Sequence, residues 1–137
     1  MASLVEKEGA KTEDRKLIAG VCYNRLNLGM PLQSNIAILY AEGKLGQKIS
    51  LADDVAIDTT IDSPYNVYKN IGLMPGPVDS PSLDAIESSI NQTKSDNLFF
   101  VANVQDGKVY FAATKEEHDK NVEEHINSKL KQSNNAN

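Results

Sequence analysis

Between Asp58 and Ser82 the chain carries four prolines, Pro64, Pro75, Pro77 and Pro81, and two glycines, with little helical periodicity. Proline lacks a backbone N–H and fixes φ, so this stretch can be neither a helix interior nor a central strand. Long irregular stretches in compact domains are usually functional or disordered. The apolar and aromatic content of Ser63-Pro64-Tyr65-Asn66-Val67-Tyr68 and of Gly72-Leu73-Met74-Pro75-Gly76-Pro77 favours function.

Regular elements flank this stretch. A short helix is expected over Ser3 to Ala10, weakened at its end by Gly9. A second follows Thr12, read as its N-cap, with Glu13 and Asp14 in the first turn where the helix dipole favours acids. Leu17, Ile18, Val21, Cys22, Arg25 and Leu28 keep helical spacing, and Gly29 with Pro31 stops the run. A third helix, Ile36 to Ala41, starts at Ser34 or Asn35, and Ser50-Leu51-Ala52-Asp53 opens one further turn. Beyond the irregular stretch, Pro81 suits the first turn of a helix with Leu83, Ile86 and Ile90 on one face. Leu98 to Val104 and Val109 to Ala112, separated by Gln105-Asp106-Gly107-Lys108, read as a β-hairpin. Thr114-Lys115-Glu116-Glu117 is a capping box opening a last helix to about Leu130, with Val122, Ile126 and Leu130 inward. The fold class is therefore α+β: several helices around a small, largely antiparallel sheet, with the hairpin followed by a helix.

The 137 residues suffice for one domain with a real core. A net charge of −5 leaves no concentrated basic surface, which argues against nucleic acid as a partner. Cys22 is the single cysteine, so no internal disulfide can form, and its place on an apolar stripe makes it a small core residue. No stretch approaches the ~20 apolar residues of a membrane span. His118 and His125 lie seven apart, not at the i, i+4 spacing of a helical zinc pair. There is no glycine-rich phosphate loop and no Gly-x-Ser-x-Gly elbow. Neither a metal nor a cofactor is expected. Asp53, Asp54, Asp58 and Asp62 read as turn, cap and surface residues.

Two carboxylates stand on the first helix. Glu6 and Glu8 cannot share a face at ~100° per residue. Glu8 lies at i+4 from Leu4 and i+3 from Val5, on the apolar side, whereas Glu6 points elsewhere, to solvent. A carboxylate on the buried side loses solvation and its pKa rises, as a general acid near neutral pH requires. Spacing alone leaves a second reading open and favours it: a structural ion pair of Glu8 with Arg15, Arg25 or a lysine.

The run Ala2-Ser3-Leu4-Val5-Glu6-Lys7-Glu8 resembles the start of the catalytic domain of the YceG-like family, the MltG-type endolytic murein transglycosylases. The similarity continues in order through Tyr23-Asn24-Arg25-Leu26, Gly29-Met30-Pro31-Leu32-Gln33-Ser34, Leu39-Tyr40, Ser63 to Tyr68, Gly72 to Pro77, Leu98 to Ala102 and the Phe111…Thr114…Glu117-His118…Asn121-Val122 run. The resemblance implies a lytic transglycosylase that cleaves the MurNAc-GlcNAc bond of peptidoglycan glycan strands and leaves 1,6-anhydromuramoyl ends, with Glu8 as the catalytic acid/base. It also implies a domain over residues 1–131 with a disordered tail, 132–137. The abrupt start reads as that of a piece of a longer protein, whose membrane anchor and accessory domain would place the enzyme outside the cytoplasmic membrane, alongside cell-wall synthesis proteins. The piece itself is expected to be soluble. Gln33, Ser34, Asn35, Tyr65, Asn66, Tyr68 and His118 are the candidate substrate-binding residues. For each, capping, loop packing or a structural role is the competing reading, and His125 reads as structural. The chain departs from the family pattern at Gly9, often Thr or Ala, and at Asn35-Ile36, commonly Asp-Pro. A glycine inside a helix end costs up to ~1 kcal/mol relative to alanine. The alternatives are a non-catalytic peptidoglycan-binding or scaffold domain of the same fold, and a hydrolase of another glycan.

Overall fold

The structure is a computed structural model and describes residues 1–48, 50–103 and 105–135. Helices α1 (Ala2–Glu8) and α2 (Thr12–Asn27) are joined by a short turn, and α3 (Asn35–Ala41) and α4 (Leu51–Val55) follow. The irregular stretch then leads to α5 (Leu83–Ile90), the strands β1 (Phe99–Ala102) and β2 (Val109–Ala112), and α6 (Lys115–Val122). A π-helical turn, Glu123–Asn127, carries α6 into α7 (Ser128–Asn135). The helix thus runs beyond Gln132, where the folded part was expected to end, although residues 132–135 are all exposed.

Helices α1, α2 and α5 pack on one another, α3 touches α1, and α6 covers the hairpin. Leu4, Val5, Ile18, Ala19, Cys22, Leu32 and Ala37 form the centre of the core, so Cys22 is buried as expected. Gly20 lets α2 come close to its neighbour: a Cβ there would sit 2.5 Å from the Thr93 carbonyl oxygen. The α5 face differs from expectation. Leu83 and Ile90 are each 70% exposed and Ile86 38%, while Ala85, Ser88 and Ser89 are buried. Small residues on α5 allow close packing on α1 and α2, and this outweighs the burial of its larger apolar side chains. Pro81 lies just outside α5, whose N-cap is Ser82. Likewise Lys11 rather than Thr12 caps α2, because the Thr12 hydroxyl donates to Asp84 across the α2–α5 junction, 2.8 Å.

The irregular stretch from Asp58 to Ser82 is pinned as a strap. Val67, Met74 and Val78 enter the core. Asn66 is fully buried and donates to the Thr59 and Ile61 carbonyls, and its own side-chain oxygen accepts from the Tyr68 N–H. The Gln33 N–H bonds the Val67 carbonyl, and the Val78 N–H donates to Ser3 Oγ. These bonds give parts of its buried backbone partners without a helix or a sheet.

The sheet has two antiparallel strands in the register Phe99↔Ala112, Phe100↔Phe111, Val101↔Tyr110 and Ala102↔Val109. The first strand is shorter than expected, and the second has the expected bounds. Asn103, just past the strand, still donates its backbone N–H to the Lys108 carbonyl at 2.9 Å, is fully buried, and donates from its side-chain amide to the His125 carbonyl at 2.9 Å. Val104, expected in the first strand, lies outside the described residues. Gly107 takes φ +70°, the left-handed conformation the turn requires. On the last helix, Ile126 is buried while Val122 and Leu130 are partly so. The His125 ring stacks on Tyr110 at 3.6 Å between centroids, a structural role as expected.

Candidate active site

Glu8 ends α1 and opens onto a cleft of about 540 Å³ lined also by Gln33, Asn35, Asp54, Tyr68, Phe99, Phe100 and His118. Two features of α1 place it there. Leu4 and Val5 are buried and fix the helix face, and Gly9, extended at φ −129°, ends the helix directly after Glu8. Gly9 therefore sits outside the helix, and the helix-propensity cost expected of it does not arise. A Cβ at Gly9 would lie 2.9 Å from Ile18 Cδ1 and 3.1 Å from Arg15 Cγ, so close approach of α2 selects the glycine.

The Glu8 carboxylate accepts one hydrogen bond, from Ser34 Oγ at 2.6 Å. Ser34 occupies the N-cap position of α3 but makes no cap, since its hydroxyl is turned to Glu8. Among the described residues no basic side chain pairs with Glu8. Arg15 pairs with Glu6 and Asp84, at 3.5 and 2.6 Å, and Lys7 with Asp79 at 3.4 Å. Arg25 spends its guanidinium on the Leu98, Pro31 and Leu32 carbonyls and on Gln33 Oε1, and lies over the Phe99 ring at 5.0 Å. The structural ion pair that spacing favoured for Glu8 is thus not formed. Burial pushes the Glu8 pKa up from 4.5 to about 7; the Ser34 hydrogen bond opposes the rise and the Asp54 charge adds to it.

Glu6, expected to face solvent, instead accepts from the Ser82 N–H and hydroxyl at 3.1 and 2.7 Å, at the start of α5. Those hydrogen bonds, ahead of the nearby Arg15, hold its carboxyl below the usual range.

The expected binding residues divide. Gln33, Asn35, Tyr68 and His118 line the cleft with Glu8, and Ser34 reaches it through Glu8. Gln33 adopts φ +54°, a strained conformation for a residue with a side chain, of the kind that clusters at functional sites. The Tyr68 hydroxyl donates to Asn35 Oδ1, and the Asn35 amide donates to the Asp54 carbonyl at 3.1 Å and carboxylate at 3.4 Å. Burial, then the charges of Glu8 and Asp54, push Tyr68 up to about 12, so it remains a neutral donor. The His118 ring stacks on Phe99 at 5.1 Å, and its Nδ1 is buried without a partner among the described residues. Burial, ahead of the Lys115 charge, lowers its pKa, which keeps the ring neutral. Tyr65 and Asn66 do not border the cleft. The Tyr65 ring packs on Tyr40 at 4.8 Å, and Asn66 folds the strap.

Sequence reasoning passed over Asp54, Phe99 and the positioning role of Arg25. Asp53 does cap α4 with Ser50, and Asp58 closes a turn on Thr60, as expected, but Asp54 faces the cleft. A charge within an apolar helical stripe was the available sign for Arg25. Nothing local separates Asp54 from Asp53. Among the described residues no cluster of His, Cys, Asp and Glu could hold a metal, and no helix is long and apolar enough to cross a membrane.

Residues 1–124 match the YceG-like family. This chain belongs to that family. It is 84% identical over 130 residues to an endolytic murein transglycosylase of Streptococcus pneumoniae strain D39, covering 95% of this chain and 24% of that protein. The Bacillus subtilis endolytic murein transglycosylase is 43% identical over 129 residues, covering 94% of this chain and 34% of that protein. A crystal structure of a YceG-like protein from Listeria monocytogenes superposes with a TM-score of 0.75 at 46% identity, over 88% of this chain and 38% of that one. The chain thus spans about a quarter to a third of the curated relatives it matches.

Proposed function

We propose that this chain is the catalytic part of a peptidoglycan lytic transglycosylase and that Glu8 is its acid and base. The observation that carries the reading is the state of Glu8: an unpaired carboxylate in a cleft, with one hydroxyl donor and a pKa near 7. A purely structural carboxylate would have a cation or several N–H donors. Among the described residues Glu8 has neither, and its environment costs stability, which a functional role explains.

Protonated Glu8 donates to the oxygen joining MurNAc to GlcNAc as the C1–O bond breaks. The resulting carboxylate takes the proton of the muramoyl C6 hydroxyl, whose oxygen closes on C1. Glu8 is then protonated again, no water is consumed, and the product ends in 1,6-anhydromuramic acid. Most glycosidases use two carboxylates, one as acid and one as base or nucleophile; here the substrate's own hydroxyl takes the second role. Gln33, Asn35, Tyr68 and His118 supply hydrogen-bonding groups for the sugars, and Phe99 with Phe100 an apolar wall. The murein transglycosylase names of the relatives support peptidoglycan strands as the substrate and action outside the cytoplasmic membrane. Anchoring there, and association with cell-wall synthesis proteins, belong to the same proposal.

Purified glycan strands incubated with the chain should yield 1,6-anhydromuramoyl ends by mass spectrometry, and Glu8→Gln should abolish them. Reducing ends would make the protein a hydrolase, and unchanged cleavage by Glu8→Gln would remove Glu8 from the mechanism.

A further inference from the structure

A second carboxylate stands in the same cleft. Asp54 sits near the end of α4, partly buried, and borders the cavity into which Glu8 opens. Its neighbour on the same turn, Asp53, is exposed and occupied with the Ser50 cap. Asp54 makes no ion pair among the described residues. It is held by Asn35, whose amide spans its carbonyl and its carboxylate, while Tyr68 fixes the other end of the Asn35 amide. That chain of contacts sets which way the Asn35 amide faces: its oxygen toward the Tyr68 hydroxyl, its NH₂ toward Asp54.

We propose that Asp54 is an electrostatic positioning residue for the reaction, a carboxylate that Asn35 and Tyr68 hold on the cleft wall and whose negative charge acts on Glu8 and on the positive charge that develops at the sugar C1. The inference rests on the reading of Glu8 as the acid. The geometry supplies the need. In the proposed reaction an oxocarbenium-like centre forms beside Glu8, and a preorganised charge in a partly desolvated cleft acts far more strongly than one in water. The other charged or titratable groups near Glu8 are Lys7 on α1, Cys22 and Arg25 on α2, Tyr68 on the strap, and Lys115 and His118 on α6. Arg25 is committed to carbonyls, burial holds Cys22 and Tyr68 neutral at about 12, and His118 is neutral. Burial pushes the Asp54 carboxyl up and the Asn35 hydrogen bond opposes the rise; ionised, Asp54 acts on Glu8 in the direction that keeps Glu8 protonated.

Asp54→Asn tests the idea, because asparagine preserves shape and can still accept from Asn35 while losing the charge. Two readouts are made on this chain: the pH profile of glycan cleavage, and the titration of the Glu8 carboxyl followed by ¹³C NMR. Asp54→Asn is expected to lower kcat roughly tenfold with KM little changed, as for an interaction made in the transition state. It should also move the Glu8 titration and the alkaline limb down by about half a pH unit. Asn35→Ala, which leaves the charge but frees it, should lower kcat with a smaller movement of the titration. Asp53→Asn should move neither. A Glu8 titration unchanged in a folded Asp54→Asn protein overturns the inference. The NMR arm separates this failure from failure of the functional reading. If Glu8→Gln still cleaves while Asp54→Asn moves the Glu8 titration, the link between the carboxylates stands and the assignment of Glu8 as the acid falls.

Discussion

The two sides of α1 carry the same functional group and put it to opposite ends. On the side facing α5, Glu6 lies between the Ser82 N–H, the Ser82 hydroxyl and Arg15, and its charged form is favoured. On the side facing α3, Glu8 meets one serine hydroxyl and a second negative charge, and its charged form is disfavoured. Two residues of separation along a helix thus decide between a carboxylate that ties elements together and one that waits for a proton. The difference lies first in burial, which leads for Glu8, and then in the neighbours' chemistry, which leads for Glu6.

The largest effect that should follow from this contrast is on catalysis. Glu8→Gln is expected to reduce anhydro-end formation by roughly 10²–10⁴-fold, whereas Glu6→Gln should leave kcat within a few-fold, read by the same mass-spectrometric assay. Equal losses from both would erase the contrast.

Stability should run the other way. Glu8 has a folded-state pKa near 7 against an ordinary 4.5, so between those values the folded chain binds more protons than the unfolded chain. Stability therefore falls as pH rises from about 4.5 through 7, by on the order of 2–3 kcal/mol for this group. Glu8→Gln should be more stable than the parent at pH 8 and no more stable at pH 4.5, measured by denaturant unfolding. A parent–variant difference independent of pH would refute the raised pKa. Glu6 is the reverse case: its lowered pKa contributes stability present above the unfolded value and lost as pH falls through the folded one. Glu6→Gln should cost about 1 kcal/mol near neutral pH through the weakened α5 start.

Gly9→Ala tests the boundary between the two sides. The new Cβ must displace Ile18 or Arg15, and the expected cost is about 1–2 kcal/mol, with a lower melting temperature as the readout. A neutral substitution would show that the α1–α2 contact gives way freely. The smallest effect is expected from Ser34→Ala. Loss of the hydrogen bond that favours ionised Glu8 should raise the alkaline limb of cleavage by a few tenths of a pH unit, with no change of fold.

Much of the scaffold was legible because local signals there agree with the tertiary outcome. The Asp-Gly turn, the Ser50 and Thr114 caps and the apolar spacing of Leu4, Val5, Ile18 and Cys22 all correspond to observed features. The misreadings arise where a side chain serves a distant partner. Thr12 looks like a cap but bonds Asp84, Ser34 stands at a cap position but bonds Glu8, and the apolar face of α5 yields to Ala85 and Ser88. The same holds in the cleft. Periodicity put Glu8 on the apolar side but could not see that Arg15 and Arg25 are engaged elsewhere, which is what leaves it unpaired. Asn66, in a stretch whose composition suggested a groove, instead folds the strap, Tyr65 packs on Tyr40, and Tyr68 from that run reaches the cleft.

Arg25 joins positions far apart along the chain: its Nε donates to the Leu98 carbonyl, and its Nη1 to the Pro31 carbonyl. Together with Glu8 near one end and His118 near the other, this makes the cleft a product of contacts with very large sequence separation, the kind that form late and slowly in folding. A polypeptide emerging from the ribosome would hold Glu8 long before it held Phe99 and His118. Under the proposed function that order of assembly is itself a safeguard, since a half-made chain has a glutamate but no cleft in which to use it.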